Sequence, residues 1–457
     1  MNKVKEKKQK TKSVVELPVV NSYSAGIDIG DTIHVVAVAD GLATERVRTF
    51  GTMTCDLNTI ADWLTECEVD TVAMESTGVY WKPLFSLLSS RGFEVYLVNA
   101  AHAKNVTGRK DDENDAMWLQ KLHSCGLPGS SYLPEDEQEA LRTIVRFRRT
   151  LTQDSSRCIN RIQKSLELMN IKFHTIISDI VGQSGQAVLK AIIAGEREAA
   201  NFLPHISSRI KADPEIIVKS LQGNWRDEHL FTLQQCYSMY LYYRERITET
   251  DTEIEKHLQK LEAKSNEGEI AEKKAVTATA KKIKKGKDKN QPKMDVRTYL
   301  EKIHGVDILA IYGLSDIGGL ELLAETGTDL SKWKTDSKFI GWLNLCPNNK
   351  ISGGKQISSH VMKKKPNAAA MAFKYAANSV QKSDHWLGDY FRRMKAKGGN
   401  KYAITATAAK IARIYYRMIT QKEAFKPVEL CAYQEQYKLK KIAYLERKLA
   451  SLKAEAA

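Results

Sequence analysis

The stretch Ser24–Asp40, SAGIDIGDTIHVVAVAD, constrains the fold of this chain more than any other. Two apolar, β-branched runs flank the polar turn Gly30-Asp31-Thr32, and they read as two paired strands or one long bent one. The first run is interrupted by Asp28, at a position where alternation calls for an apolar or inward-facing residue. Any fold proposed for the chain has to give that carboxylate a partner, because a lone buried charge is costly.

The runs that follow continue the pattern. ERVRTFGT reads as a neighbouring strand, and DLNTIADWLTEC as a helix with Asp56 as its N-cap. VDTVAMEST is a short buried strand, WKPLFSLLSSRG a helix ending at Gly92, FEVYLVNA a strand, and DENDAMWLQKLHSCG a helix closing at Gly126. Antiparallel opening strands followed by alternating β-α units predict a mixed α/β sheet with helices on its faces. From about residue 135 the character changes to nearly all helix. Tyr240, Ile247, Ile254 and Leu261 recur seven apart, the spacing of a coiled-coil seam that either self-associates or packs back on the preceding helix. That preceding helix is rich in arginine, with Arg142, Arg146, Arg148, Arg149, Arg157 and Arg161. Residues 264–295 are Lys-rich and nearly devoid of large apolar side chains, as expected of a linker or insertion. The expected organisation is a basic arm over 1–22, the α/β domain over 23–130 and a helical, coiled-coil region over 131–263. The Lys-rich segment over 264–296, a mostly helical domain over 297–422 and a terminal helix over 423–457 complete it.

With 457 residues the chain is long enough for two or three cores. Its 70 Lys and Arg against 55 Asp and Glu leave a formal charge of +15, which favours a polyanionic partner through counterion release. The seven cysteines form no C-x-x-C pair, which argues against a zinc knuckle or a disulfide framework and fits a reducing compartment. The basic N-terminal tail leads into no signal-like apolar stretch, and no run approaches the ~18 apolar residues of a membrane span. A soluble, cytoplasmic protein with no membrane partner is expected.

Four carboxylates carry the candidate chemistry. Asp28 lies in the first strand, Glu75 ends the run TVAME, and Asp112 and Asp115 lie three apart on one helix face. Hard divalent cations prefer such oxygen ligands, and a pair of ions ~4 Å apart stabilises both oxygens of a phosphodiester displacement. Two Mg²⁺ per site are expected, with Mn²⁺ able to substitute. Asp31 and Asp111 are competitors that spacing alone leaves open. Near the other end, NNKISGGKQISSH places Ser352 before Gly353 and Gly354, where a hydroxyl is sterically open. Lys350 and Lys355 could offset charge on a transferring phosphate. Ser358 and Ser359 lack that glycine context. Candidate nucleic-acid contacts are Arg109 and Lys110, Arg146 and Arg149, Lys350 and Lys355, and Lys363 and Lys364.

GIDIGDTIHVVAV, AMESTGVYWKPLFSLL, VYLVNAAHAKNVTGRKDDENDAMWLQKL and LNLCPNNKISGGK together resemble the transposases of the insertion sequence 110 family. The resemblance covers about 24–175 and 297–420. It implies an RNase H-like (RuvC-like) catalytic domain with an Asp-Glu-Asp-Asp set, which falls on Asp28, Glu75, Asp112 and Asp115. The family's Lys-x-Asp-x-x-Asp-Ala pattern selects Asp112 over Asp111. It also implies a transposase domain whose serine, here Ser352, becomes linked to a DNA phosphate. Further implications are a guide (bridge) RNA encoded by the element, a homo-oligomer (dimer or tetramer) in which one subunit's catalytic domain meets another's serine, and a bacterial or archaeal, nucleoid-associated setting. Where the family carries a Gly-Ile-Gly hairpin that binds nucleic-acid backbone, this chain reads Gly305-Val306-Asp307, and a packing turn is expected instead.

Three other readings compete. A RuvC-type junction nuclease would use the metal with water and no serine nucleophile. A sugar-kinase or actin-like ATPase also opens on Asp-x-Gly-x-Thr, but it needs a second phosphate loop, and none appears downstream. A non-catalytic RNA-binding role would leave the carboxylates without chemistry.

Overall fold

The alternating run becomes three antiparallel strands, β1 (Ser24–Ile29), β2 (Ile33–Val38) and β3 (Val47–Gly51). The structure is a computed structural model that describes residues 18–76, 78–98, 112–127, 129, 133–267, 289–360 and 367–456. The chain divides into two units, Met1–Leu133 and Pro134–Ala457.

In the first unit two further strands, β4 (Thr71–Glu75) and β5 (Glu94–Val98), lie parallel to β1, giving the order β3-β2-β1-β4-β5. Helix α1 (Thr54–Glu66) precedes β4, and α2 (Trp81–Ser90) joins β4 to β5. The expected cap of α1 is corrected. The helix starts two residues before Asp56, with Met53 at the N-cap, and the Asp56 carboxylate accepts the Met53 N–H at 3.0 Å. Strand alternation divides the sheet cleanly. Ala25, Ile27, Ile29, Val36, Val38, Val72, Met74 and Leu97 face α1 and α2, meeting Ile60, Leu64, Leu84 and Leu88 in the larger core. The opposite face receives α3 (Asp112–Ser124), whose Ala116 packs on Val35 and Ala37, and whose Leu119 packs on Ala73 and Val98.

The second unit is built on two long antiparallel helices, α4 (Asp136–Leu168) and α7 (Asp227–Glu267). Tyr240, Ile247 and Ile254 are buried. The seam seen in the sequence therefore packs back on the preceding helix, and a buried Arg148–Asp251 ion pair is set within it. Between these helices in sequence, α5 (Gln183–Ile193) and α6 (Pro214–Leu221) pack Leu189, Ile192 and Leu221, with Phe173 and Phe202, against Ile162 and Leu166 of α4 and Leu233 and Tyr237 of α7 in one core. The remainder is helical: α8 (Val296–His304), α9 (Asp316–Thr326), α10 (Asp336–Trp342), α11 (Ala368–Ser379), α12 (Trp386–Gln421) and α13 (Leu430–Ala456). A hairpin, β6 (Asn348–Ser352) with β7 (Lys355–His360), interrupts them. In their core Phe339 stacks on Tyr415, and Phe373 meets both rings edge-on. His304 is buried beside Tyr415 with neither ring nitrogen hydrogen-bonded. Asp307 caps the next turn, accepting the Leu309 N–H at 3.1 Å, and pairs with Arg297. This is the packing turn expected there.

Candidate carboxylate site and serine hairpin

Register and helix placement together assemble the carboxylates. Gly26 pairs with Ala73 and Ile27 with Met74 across the parallel β1–β4 pair, so Asp28 and Glu75 stand at the next step. Alternation puts both on the face that carries α3. The helix can approach only because residue 26 is glycine. A Cβ there would lie 2.3 Å from the Gln120 nitrogen and 2.5 Å from the Ala116 oxygen, both backbone atoms of α3. A polar clasp fixes its far end: the Gln120 amide donates to Ser24 Oγ at 3.1 Å, and His123 Nε2 bonds the Thr71 hydroxyl at 2.9 Å. With Gln120 over the start of β1, the helix runs antiparallel to that strand. Its first turn, holding Asp112 and Asp115, is therefore carried towards Asp28.

The electrostatics record this convergence. Asp28 is half-buried, and its pKa is pushed up from 3.8 to about 6. Burial is the largest cause, followed by the negative charges of Asp112, Glu75 and Asp115. Placement at a helix N-terminus favours the two α3 carboxylates themselves. Among the described residues, no three His, Cys, Asp or Glu side chains stand close enough together to form a metal shell. The donor set nonetheless fits a hard divalent cation in its chemistry. All four ligands are carboxylates, and their mutual repulsion at Asp28 is what such a cation relieves. Asp31 is a neighbour in sequence that exerts no resolved influence on Asp28, and Asp111 lies outside the described residues.

Ser352 stands at the tip of the hairpin. Gly353 and Gly354 both have positive φ, 54° and 75°, as a two-residue type I′ turn requires. Ser352 pairs with Lys355 across the turn, and Lys350 pairs with Ser358. Lys350 and Ser352 are two residues apart on one strand and so share a face. Ser359 pairs with Asn349, further from the tip. The sequence reading foresaw a turn here and missed the strands, although Gly-Gly between alternating residues is a hairpin signal.

The candidate nucleic-acid contacts separate into groups. Lys350 and Lys355 are exposed on the hairpin. Arg146 is engaged within the chain, donating to both carboxylate oxygens of Glu325 at 2.7 Å, and Arg149 stands 3.9 Å from Glu321. These arginines tie α4 to α9. Arg142 and Arg157 likewise pair with Glu139 and Asp154 on their own helix. Arg109, Lys110, Lys363 and Lys364 lie outside the described residues.

The first unit is a mixed sheet with helices on both faces, with Asp28 and Glu75 on its strands and Asp112 and Asp115 on the covering helix, and the helical unit carries the exposed hairpin of Ser352. Two family models match the chain. A DEDD transposase model of the IS110 type covers residues 25–171, and the model for the transposase IS116/IS110/IS902 family covers residues 307–392. The chain belongs to the IS110 family of transposases. It is a DNA transposase/recombinase, and its DEDD domain points to dependence on a divalent metal. No individual curated relative matches it. No helix among the described residues is long and apolar enough to cross a membrane.

Proposed function

We propose that the first unit is an RNase H-like (RuvC-like) catalytic domain, and that the chain exchanges DNA strands through a covalent link to Ser352. The observation that supports this reading most is that Asp28 and Glu75 lie on the sheet face that α3 covers across Gly26, and that the charges of Asp112, Glu75 and Asp115 all act on Asp28. Those residues would hold Mg²⁺, two ions in the usual arrangement for phosphodiester chemistry. The metal would supply charge neutralisation at the phosphate and lower the pKa of the attacking hydroxyl.

The chain's own groups do the rest. The hairpin presents Ser352 clear of the protein, and Lys350 and Lys355 offset charge on the phosphate. As the Oγ–P bond forms, the bond from phosphorus to one deoxyribose oxygen breaks. The serine gives up its proton and the displaced hydroxyl gains one. Attack by a hydroxyl of the partner DNA reverses these events and frees the serine. Selection of sites by an element-encoded guide RNA, and an assembly in which one protomer's carboxylates act with another's serine, complete the proposal. A cytoplasmic, nucleoid-associated location fits such a substrate.

The test is a denaturing gel of the full-length protein with DNA carrying the joined element ends. Wild-type protein should leave a protein–DNA adduct that Ser352→Ala and Asp28→Asn both lose. Cleavage that persists in Ser352→Ala without an adduct would sink the serine mechanism in favour of a junction nuclease acting with water. Full activity in Asp28→Asn would remove the carboxylate site from the reaction.

A further inference from the structure

Every residue from Asn349 to Ile357 is exposed, and two of them are isoleucines: Ile351 is 67% exposed and Ile357 is 70% exposed. A lone two-stranded ribbon is marginal in water, and bare branched side chains on it forgo stabilisation until something covers them. The register shows how they are arranged. Ile351 pairs with Gln356 while Lys350 pairs with Ser358, so Ile357 is the extra residue of a bulge on β7. Ser352, Lys350, Lys355 and Ser358 share one face. Ile351 and Gln356 share the other, and Ile357 is the unpaired residue between the two faces' pairs, at the bend of the bulged strand.

The surroundings say what covers this face. From residue 337 to residue 383 the sequence contains no Asp or Glu and eight Lys. A partner that is polyanionic outside and apolar within matches both faces at once, and duplex DNA has that chemistry: phosphates flank a stack of base faces. We propose that Ile351 and Ile357 form a wedge that enters the base stack beside the phosphate attacked by Ser352, while Lys350 and Lys355 hold the flanking phosphates. Apolar side chains inserted in this way unstack a base step and kink the duplex. The isoleucines are positioning residues. Opening one step turns the phosphodiester towards the hairpin tip. This inference rests on the serine reading given above and adds how the DNA is presented to it.

The experiment uses the full-length protein, a duplex carrying the joined ends of its element, and RNA transcribed from the DNA that flanks the gene. Permanganate oxidation of thymines reports unstacking without chemistry, so it is read in Ser352→Ala. Thymines at the exchanged step should become reactive, and adding Ile351→Ala with Ile357→Ala should abolish that reactivity without lowering the melting temperature. With Ser352 intact, the same pair of changes should cut adduct yield by about tenfold or more. A single mismatch at that step, which unstacks the DNA beforehand, should restore the yield, as should Ile→Leu at both sites. Reactivity that is absent from Ser352→Ala, or that survives the alanine pair, overturns the wedge, as does failure of the mismatch to rescue. Loss of assembly mass with unchanged reactivity also overturns it, and assigns the face to a second copy. If the isoleucines govern reactivity but wild type forms no adduct, the serine reading falls and the wedge stands.

Discussion

Asp28 is the residue whose ionisation costs the fold stability. Its pKa in the folded chain is raised to about 6, so the folded state holds the proton more tightly than the unfolded state does. The stabilisation from this group is full below the ordinary value of 3.8 and is lost as pH rises through about 6. In metal-free buffer near pH 8, Asp28→Asn should therefore melt higher than wild type. The gain, discounted for partial exposure, is about 1 kcal/mol, and it should vanish near pH 4. Thermal melts across that range in chelator check this, and equal melting at every pH would contradict it. Adding Mg²⁺ should raise the wild-type melting temperature and leave Asp28→Asn nearly unmoved. The influence of Glu75, Asp112 and Asp115 on Asp28 follows from residues that the sequence already singles out in short local patterns. Their common face was not legible in the sequence, since it depends on a strand register and on a helix approach that no single segment encodes.

At the scale of elements, one glycine decides where α3 sits. Gly26→Ala would press a methyl group into backbone atoms of α3, which cannot move aside as a flexible side chain can. Overpacking of this kind costs about 1–3 kcal/mol. The variant should melt lower and lose strand exchange by more than the stability loss explains, because Asp112 and Asp115 ride on the displaced helix. A glycine inside an otherwise apolar strand is the sequence signal for such a close approach. The Arg-rich helix shows the opposite difficulty. Its charge pattern resembled a phosphate-binding face, but the carboxylate that engages Arg146 lies 179 residues later. Arg146→Ala should strand Glu325, whose side chain is only 7% exposed, and cost about 2–3 kcal/mol in a urea melt. The slope of DNA affinity against salt should stay unchanged in that variant. Lys350→Ala and Lys355→Ala should do the reverse, each lowering the slope by about one at little cost in stability.

For the whole molecule, acid is the expected weakness. His304 is buried without a hydrogen bond to either ring nitrogen, and burial, with a smaller push from Lys422, lowers its pKa from 6.5 to about 3. Its folded-state pKa is depressed, so the penalty for charging it is absent above 6.5 and grows as pH falls towards 3. The second unit should lose about 2 kcal/mol between neutrality and pH 4.5 through this group. His304→Phe should flatten that limb, whereas an unchanged acid profile would locate the proton elsewhere. The sequence disclosed the change from α/β to helical character near residue 135 and the seven-residue seam of α7, whereas the helical region and the Ser352-bearing region, expected as separate domains, fall in one unit. It left open whether the seam met a second chain or its own, because heptad spacing specifies a partner's shape and not its source. The antiparallel pairing of α4 with α7 now carries a consequence for length. At 1.5 Å per residue, α4 spans about 50 Å. Each position on one helix is matched to a position on a helix that runs the other way. Material can therefore be added to or removed from this arm only as matched heptads in both strokes, about 10 Å at a time, or the seam rotates out of phase. The arm is a ruler with coarse graduations.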